Sequence, residues 1–539
     1  MHGWGRPSKQ LAGFAPPGTT PNPSSEEQGL VKEAFSQLPP LIGSHVLLAS
    51  AAMGLALLIG LPLGLLSARR PRLAAVAVGF AGLVQTIPGL ALLALFYPLL
   101  LAISALIGGG VPALGFLPAL LALTLYALLP ILRNVIAGLQ GIDPAVLQAA
   151  NAVGMTPRQR LRLVEAPLAA PVAMAGIRTA AVWTIGTATL ATTVGYPTLG
   201  NPIFAGLQIE RWDLVLAGCV AAAGLALVTD FLLGLIERGI GRRNRRLTIV
   251  GSALLALGLV AAGLPALRPT ERTITVGAKN FSEQYILSRL IGARLERAGY
   301  HVAYREGLGS AVAFRALASG DIDVYVEYSG TLWAGAMARS DTPSRAAMLE
   351  GIARWMATGP KTVLIGPLGF ENAYALAVRP GSGFSSIADL ASRAPKLTLG
   401  ADLEFLDRPE WHAIRDAYDL RFAATRAYSP TFMYRALRSG QADVISAFSS
   451  DGRIAADHLI VLADPKQAVP HYDAILLASP THANDARFLA ALRPLVNRIS
   501  VEDMRSANYS VDRDAAKTTP ATAARWLDKR VRSRTEPSP

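Results

Sequence analysis

Between residues 42 and 264 the chain passes through long apolar stretches that hold almost no charge, and short arginine clusters separate several of them. This pattern constrains the fold more than any other feature. Five stretches, 42–66, 111–132, 172–194, 214–236 and 247–264, meet or approach the ~20 apolar residues that carry a helix across a bilayer. Inside lipid each backbone amide and carbonyl must find its partner within the protein, which leaves helices or closed barrels. A sixth stretch, 73–107, is too long for one straight crossing and is interrupted at Pro88-Gly89. A single broken or tilted crossing is expected there, because two passes would put the basic clusters on alternating sides.

The arginines set the orientation. Arg69, Arg70 and Arg72 follow the first span, Arg133 the third, and Arg242, Arg243, Arg245 and Arg246 the fifth. With these clusters inside, loop 134–168 is cytoplasmic and everything past about residue 266 lies outside. Residues 1–41 read as a polar, Pro-rich tail on the outer side, without the pattern of a removable signal peptide. The net charge of +13 therefore reflects membrane topology. A nucleic-acid binder would carry its basic residues on a folded polar face with interleaved aromatics, and none is expected as a partner. A 51% hydrophobic content excludes disorder, and the single cysteine, Cys219, excludes a disulfide framework. Of the polar residues within the spans, Arg178 is expected to snorkel to the inner interface, while Gln85 and Asp230 are left without a role.

The cytoplasmic loop carries the strongest local signal. Gln148-Ala149-Ala150, then Gly154, Val164 and Pro167, fall at the spacing of a short helix ended by a glycine turn. The arrangement resembles the loop by which importer-type ABC permeases engage a separate ATPase. Gln148 stands where that family has Glu, and Ala166 where it has Leu. Gln85-Thr-Ile-Pro-Gly-Leu-Ala-Leu-Leu-Ala, Tyr126-Ala-Leu-Leu-Pro-Ile-Leu-Arg-Asn, Ala175-Gly-Ile-Arg and Leu199-Gly-Asn-Pro-Ile-Phe-Ala-Gly-Leu resemble the permeases of osmoprotectant ABC importers. Tyr196-Pro197-Thr198 replaces a glycine-rich turn common in that family.

Past residue 270 the reading changes to alternating strands and helices. Strands are expected at 273–276, 301–305, 322–326, 374–378, 397–399, 444–447, 459–462 and 474–477, with helices over 282–298 and from 307 to 318. Such alternation predicts α/β sheets, and about 270 residues suit two lobes around a cleft. Gly307-Leu308-Gly309-Ser310 lacks the Gly-x-Gly-x-x-Gly pattern, and no Gly-Lys-Ser/Thr occurs, so nucleotide binding by this chain is not expected. The histidines are scattered without a metal or nucleophile motif, which argues against an enzyme. Asp321, Asp323 and Glu327 share one strand face but find no catalytic company; Glu327 and Asp451 read as hydrogen-bonding partners.

Lys279-Asn-Phe-Ser-Glu-Gln-Tyr-Ile-Leu, Gly320-Asp-Ile-Asp-Val-Tyr-Val-Glu-Tyr-Ser-Gly-Thr, Asn372-Ala-Tyr-Ala-Leu-Ala-Val-Arg and Asp443-Val-Ile-Ser-Ala-Phe-Ser-Ser-Asp-Gly resemble the osmoprotectant-type substrate-binding protein. The resemblance implies a polytopic helical permease followed by a two-lobed periplasmic-binding-protein domain of type II. The boundaries are a tail at 1–41, a permease at 42–240, a basic loop and tethering helix at 241–269, and a binding domain at 270–539. It also implies a cage of Tyr328, Tyr374, Trp411 and Tyr434 around a trimethylammonium ligand, Thr331 beside it, and Asn280 and Gln284 at the ligand's anionic end. A cation without N–H groups is held by aromatic faces, at about 0.5–2 kcal/mol each.

The expected function is an ATP-driven importer of glycine betaine, choline or carnitine in a bacterial inner membrane, with its binding domain in the periplasm. Ergothioneine, also a trimethylated betaine, is an alternative cargo; a ligand-gated pore is the alternative of another class. No cofactor is expected in this chain, ATP and Mg being used by a separate ATPase, and two such chains with two ATPases make the expected assembly.

Overall fold

The computed structural model describes residues 31–32, 34–108, 110–209, 211–263, 273–339, 341–513 and 516–534. Most of the expected tail and the connection at 264–272 lie outside them. Helix α1 (Leu38–Ala68) begins earlier than expected, and residues 34–36 before it are already helical. Then follow α2 (Pro71–Thr86), α3 (Gly89–Leu106), α4 (Phe116–Gln140), α5 (Pro144–Ala152), α6 (Pro157–Val194), α7 (Gly200–Gln208), α8 (Trp212–Gly241) and α9 (Arg245–Gly263). Among the described residues six of these, α1, α3, α4, α6, α8 and α9, are long and apolar enough to cross a membrane.

The stretch 73–107 is one passage broken at its proline. Ile87, ahead of Pro88, is extended (φ −75°, ψ 127°), since the proline ring disfavours a helical residue before it. Ala77 and Ala81 of α2 pack with Leu128, Leu132 and Val135 of α4, whereas Leu92 and Leu93 of α3 pack with Ala119, Ala122 and Leu123. The contacts thus run antiparallel along α4 from one end to the other. The carbonyl freed at the break accepts the Tyr126 hydroxyl of α4.

Arg178 is paired with acids of α8. Its guanidinium donates to both oxygens of Asp230 (2.5 and 2.6 Å) and to Glu237 (3.1 Å), which binds α6 to α8. Asp230 and Glu237 lie two helical turns apart on one face of α8, and Gly234 between them leaves the room. A Cβ there would already stand 3.4 Å from the guanidinium carbon. Charges at membrane depth are neutralised locally where a partner can be placed.

The Tyr196-Pro197-Thr198 turn is tied to α1. Ser44 Oγ donates to the Pro197 carbonyl (2.7 Å), and the Leu199 amide donates to His45 Nδ1 (3.3 Å). His45 Nε2 in turn donates to the Ile185 carbonyl (3.0 Å), so the buried ring is the neutral tautomer.

The soluble part has two five-stranded sheets. The first lobe orders β2 (His301–Leu308), β1 (Thr273–Lys279), β3 (Val324–Tyr328), β10 (Asp473–Ala478) and β4 (Val363–Glu371). The second orders β7 (Ala424–Ala427), β6 (Thr398–Ala401), β8 (Val444–Phe448), β5 (Tyr374–Val378) and β9 (Ile460–Val461). The chain crosses between lobes at 372–373 and at 462–472, and these crossings are joined by the Asn372 amide donating to the Tyr472 carbonyl (2.9 Å). In each sheet the strand entered after a crossing, β5 or β10, runs antiparallel to its neighbours.

The expected strands are all present, and β4 and β7 are additional. Gly366 and Gly369 of β4 take φ of 153° and 112° around Pro367, a conformation that erases the alternating pattern. The helices that position the site are α10 (Ser282–Arg297), α11 (Ser310–Ser319), α12 (Pro409–Tyr418), α13 (Pro430–Arg438) and α14 (Val501–Asp512). The first lobe rests on the permease: Leu114 joins the core of Leu308, Phe314 and Tyr325, and Lys517 Nζ donates to the Ile209 carbonyl after α7 (2.6 Å).

Candidate ligand cleft and ATPase-facing loop

Strands of an α/β sheet open at their carboxyl ends, where the following helix begins and ligands are received. Here β1 ends in Lys279, Asn280 and Phe281 before α10, β3 in Tyr328, β6 in Asp402, β7 in Tyr428, and β8 in Phe448. All of these line one cleft of about 500 Å³ between the lobes.

Its wall is a row of rings. Tyr328 lies 6.2 Å from Phe281, Phe281 6.2 Å from Phe448, Phe448 5.1 Å from Tyr374, and Tyr374 5.6 Å from Tyr472 (centroid distances). Tyr428 adds a sixth ring. The row spans both lobes and a crossing segment.

The polar lining is mostly acidic. Glu283, Asp402, Glu404, Asp451 and Asp512 face the cleft, with Lys279 and Arg453 as the cationic residues. Both cations are engaged: Lys279 with Glu327, and Arg453 with Asp451 (3.1 Å) and Asp512 (3.8 Å). Burial pushes the carboxyls of Glu283 and Asp402 above the usual range, and that of Asp512 up to about 6. The Tyr328 hydroxyl donates to Glu283 (2.6 Å) and that of Tyr472 to Glu410.

Of the residues expected in the site, Asn280, Tyr328, Thr331 and Tyr374 are brought together on the wall. Gln284 lies behind it, where its Nε2 donates to the Tyr328 hydroxyl (3.0 Å) and the Val326 carbonyl (3.1 Å). Trp411 and Tyr434 are not on the wall. Trp411 turns inward from α12 onto Phe405 (5.6 Å) and Phe422 (6.2 Å) in the core of the second lobe. Tyr434 is buried between α13 and the sheet, with Arg453 4.3 Å over its ring. Tyr428 and Phe448 supply the second-lobe rings in addition to Tyr374, and with Phe281 and Tyr472 they are absent from the sequence reading. Their signal was position: three are aromatics at carboxyl ends of strands, and Tyr472 lies just before β10.

At the opposite end of the chain's path, Asp143 caps α5 by accepting the Ala145 amide (2.8 Å). The helix ends at Gly154, whose φ of 76° suits a residue without a side chain. Thr156 and Gln159 then form a capping box for α6. Gln148, Ala149, Gly154 and Pro167 are exposed, Val164 half-buried and Ala150 buried, and Val146, Val153 and Leu163 add exposed apolar surface. Beneath the loop the buried Glu165 accepts from Arg69 and Arg160 (2.7 Å each), which sets the loop on a rigid base.

Comparison with known proteins separates the same two halves. Residues 60–242 match the family described as the inner membrane component of binding-protein-dependent transport systems. Residues 272–529 match the substrate-binding domain of the ABC-type glycine betaine transport system. The choline transport system permease protein OpuBB of Bacillus subtilis is 40% identical over 194 residues, 36% of this chain and 84% of that protein. The chain belongs to the osmoprotectant-type ABC importer family. In this importer subunit the permease and the substrate-binding domain form one polypeptide, with the helical half in a lipid bilayer and an ATPase implied as partner. The ergothioneine transport permease/ergothioneine binding protein EgtU of Helicobacter pylori is 27% identical over 481 residues, 85% of this chain and 84% of that one. A crystal structure titled glycine betaine/carnitine/choline ABC transporter is 26% identical, covering 48% of this chain and 97% of that one with a TM-score of 0.43.

Proposed function

We propose that this importer subunit carries a small quaternary-ammonium solute, of the glycine betaine, choline and carnitine type, into a bacterial cell. The observation that carries the reading is the row of rings in an acidic cleft. A trimethylammonium group offers no N–H to a carboxylate, so ring faces hold it and nearby negative charge attracts it. The binding domain closes on the solute on the periplasmic side of the inner membrane and delivers it to the permease. Gln208, at the end of α7, lines the cleft, in keeping with delivery to this mouth. A separate ATPase binds ATP and Mg, grips the loop from Gln148 to Pro167 and drives the transport stroke. Two copies of the chain with two ATPases complete the pathway, since one chain provides half of a pore.

Ergothioneine is a second reading, favoured by the domain order shared with the H. pylori protein over most of the chain. Both cargoes present the same trimethylammonium group. Calorimetric titration of the purified chain in lipid nanodiscs with glycine betaine, choline, carnitine, ergothioneine and histidine separates them. Binding of one trimethylammonium compound, weakened about 10-fold or more in Tyr374→Ala, is the expected result. A preference for histidine, or no binding by any of the five, would sink the quaternary-ammonium reading.

A further inference from the structure

Among the described residues two carboxylates of the cleft, Glu283 and Asp402, have no ion-pair partner; Asp402 caps a turn by accepting the Phe405 amide (2.9 Å), whereas Glu283 is bonded to a ring of the wall. Glu283, 3% exposed, accepts the Tyr328 hydroxyl (2.6 Å) and Asn372 Nδ2 (3.1 Å) on one oxygen and Asn508 Nδ2 (2.9 Å) on the other. Both asparagine amides and the phenol donate, and this arrangement suits the ionised acid. Among the described residues no lysine, arginine or histidine is in ion-pair contact with it. Lys279 of β1 belongs to Glu327 of β3 and lies 4.9 Å over the Tyr328 ring. Arg453 belongs to Asp451 and to Asp512 of α14.

A buried ionised acid held only by neutral donors is costly, and a cation that enters its site relieves that cost. The geometry also reaches the ring. A phenol that donates to a carboxylate gains electron density, which strengthens the negative face that a cation meets. A ligand carboxylate finds the opposite situation, because both cationic side chains of the lining are committed to protein acids.

We propose that Glu283 is the counter-charge of the cargo, acting through Tyr328, and that the cleft prefers a net-cationic quaternary-ammonium alcohol to a zwitterionic betaine. The inference rests on the quaternary-ammonium reading above. Glu283 is thus a positioning and charge-supplying residue whose role depends on its ionisation.

The test is titration of the full chain in nanodiscs with choline and with glycine betaine, from about pH 5 to about pH 8, for the wild type, Glu283→Gln and Glu283→Asp. The wild type is expected to favour choline and to lose that preference as pH falls and Glu283 takes up a proton. Glu283→Gln should weaken choline about 10- to 100-fold, weaken glycine betaine less, and flatten the choline pH profile. Glu283→Asp keeps the charge and should retain the preference for choline. Burial raises the pKa of Asp402 and that of Asp512, the latter to about 6, so a profile kept in Glu283→Gln and lost in Asp512→Asn or Asp402→Asn would overturn the proposal. Equal losses for both probes in Glu283→Gln would overturn it too, leaving a residue that only orients Tyr328. Should Glu283→Gln not fold, a wild-type choline affinity that is flat with pH overturns it. A wild type that binds neither probe would instead overturn the quaternary-ammonium reading and the inference with it.

Discussion

The membrane half and the ligand cleft treat charged groups differently. In the helices the charged and ring-borne polar groups are given protein partners: Arg178 has Asp230 and Glu237, Tyr126 has the Ile87 carbonyl, and His45 has Ile185 and Leu199. The cleft leaves acids in excess and Glu283 without a cation. Lipid offers no later partner, so the permease must be satisfied as it folds. The binding domain meets its partner afterwards, and an unmatched charge there is a specification for the ligand.

The comparison can be broken first at Arg178. Arg178→Ala strands two carboxylates between helices and should cost about 3–5 kcal/mol, seen as a large drop in thermal stability of the detergent-solubilised chain. Replacing Arg178, Asp230 and Glu237 together by Met should recover much of that loss. Full stability in Arg178→Ala alone would show that the pairing does not hold α6 to α8.

A second pair of substitutions separates core from wall. Trp411→Ala empties a core position and should destabilise the binding domain by about 3–5 kcal/mol. Tyr428→Ala, at the cleft, should cost little stability and weaken the ligand by about 1–2 kcal/mol of binding. Calorimetric unfolding and titration of both variants read the two effects. The reverse assignment would restore Trp411 to the cage.

The smallest expected effect is a pH dependence away from the cleft. His482 sits between Asp323 (3.1 Å) and Asp485 (3.3 Å), and hydrogen bonding to Asp323 raises its pKa above the usual 6.5. A group with a raised folded pKa stabilises fully below its unfolded value and loses that contribution as pH rises through the folded one. Thermal stability of the domain should therefore fall as pH climbs past 6.5, and His482→Asn should flatten that slope. A slope unchanged in the variant would assign it to other groups.

Much of this architecture was legible in the chain itself. Apolar runs of bilayer length, basic clusters at their inner ends and a Pro-Gly interruption are local properties, and the helices follow them closely. The capped and glycine-ended α5 is local too, since Asp143, Gly154 and Thr156 act within a few residues of themselves. Strand positions were legible for the same reason, apart from β4, where two glycines and a proline hide the alternation, and the four-residue edge strand β7.

What the residues next to each other could not decide was which way a side chain points once helices rotate onto sheets. Tyr434 and Trp411 sit in segments adjoining the cleft, yet each lies on the face of its helix that covers the second lobe. Tyr428, six residues before Tyr434, ends a strand and meets the ligand space instead. The acidic partner of Arg178 was hidden likewise, because Asp230 is 52 residues away and only helix packing brings it within 2.6 Å. Hydrophobic period and turn chemistry act over a few residues and are written in the sequence. The pairing of charges and the assembly of a cage act through space, and tertiary structure alone decides them.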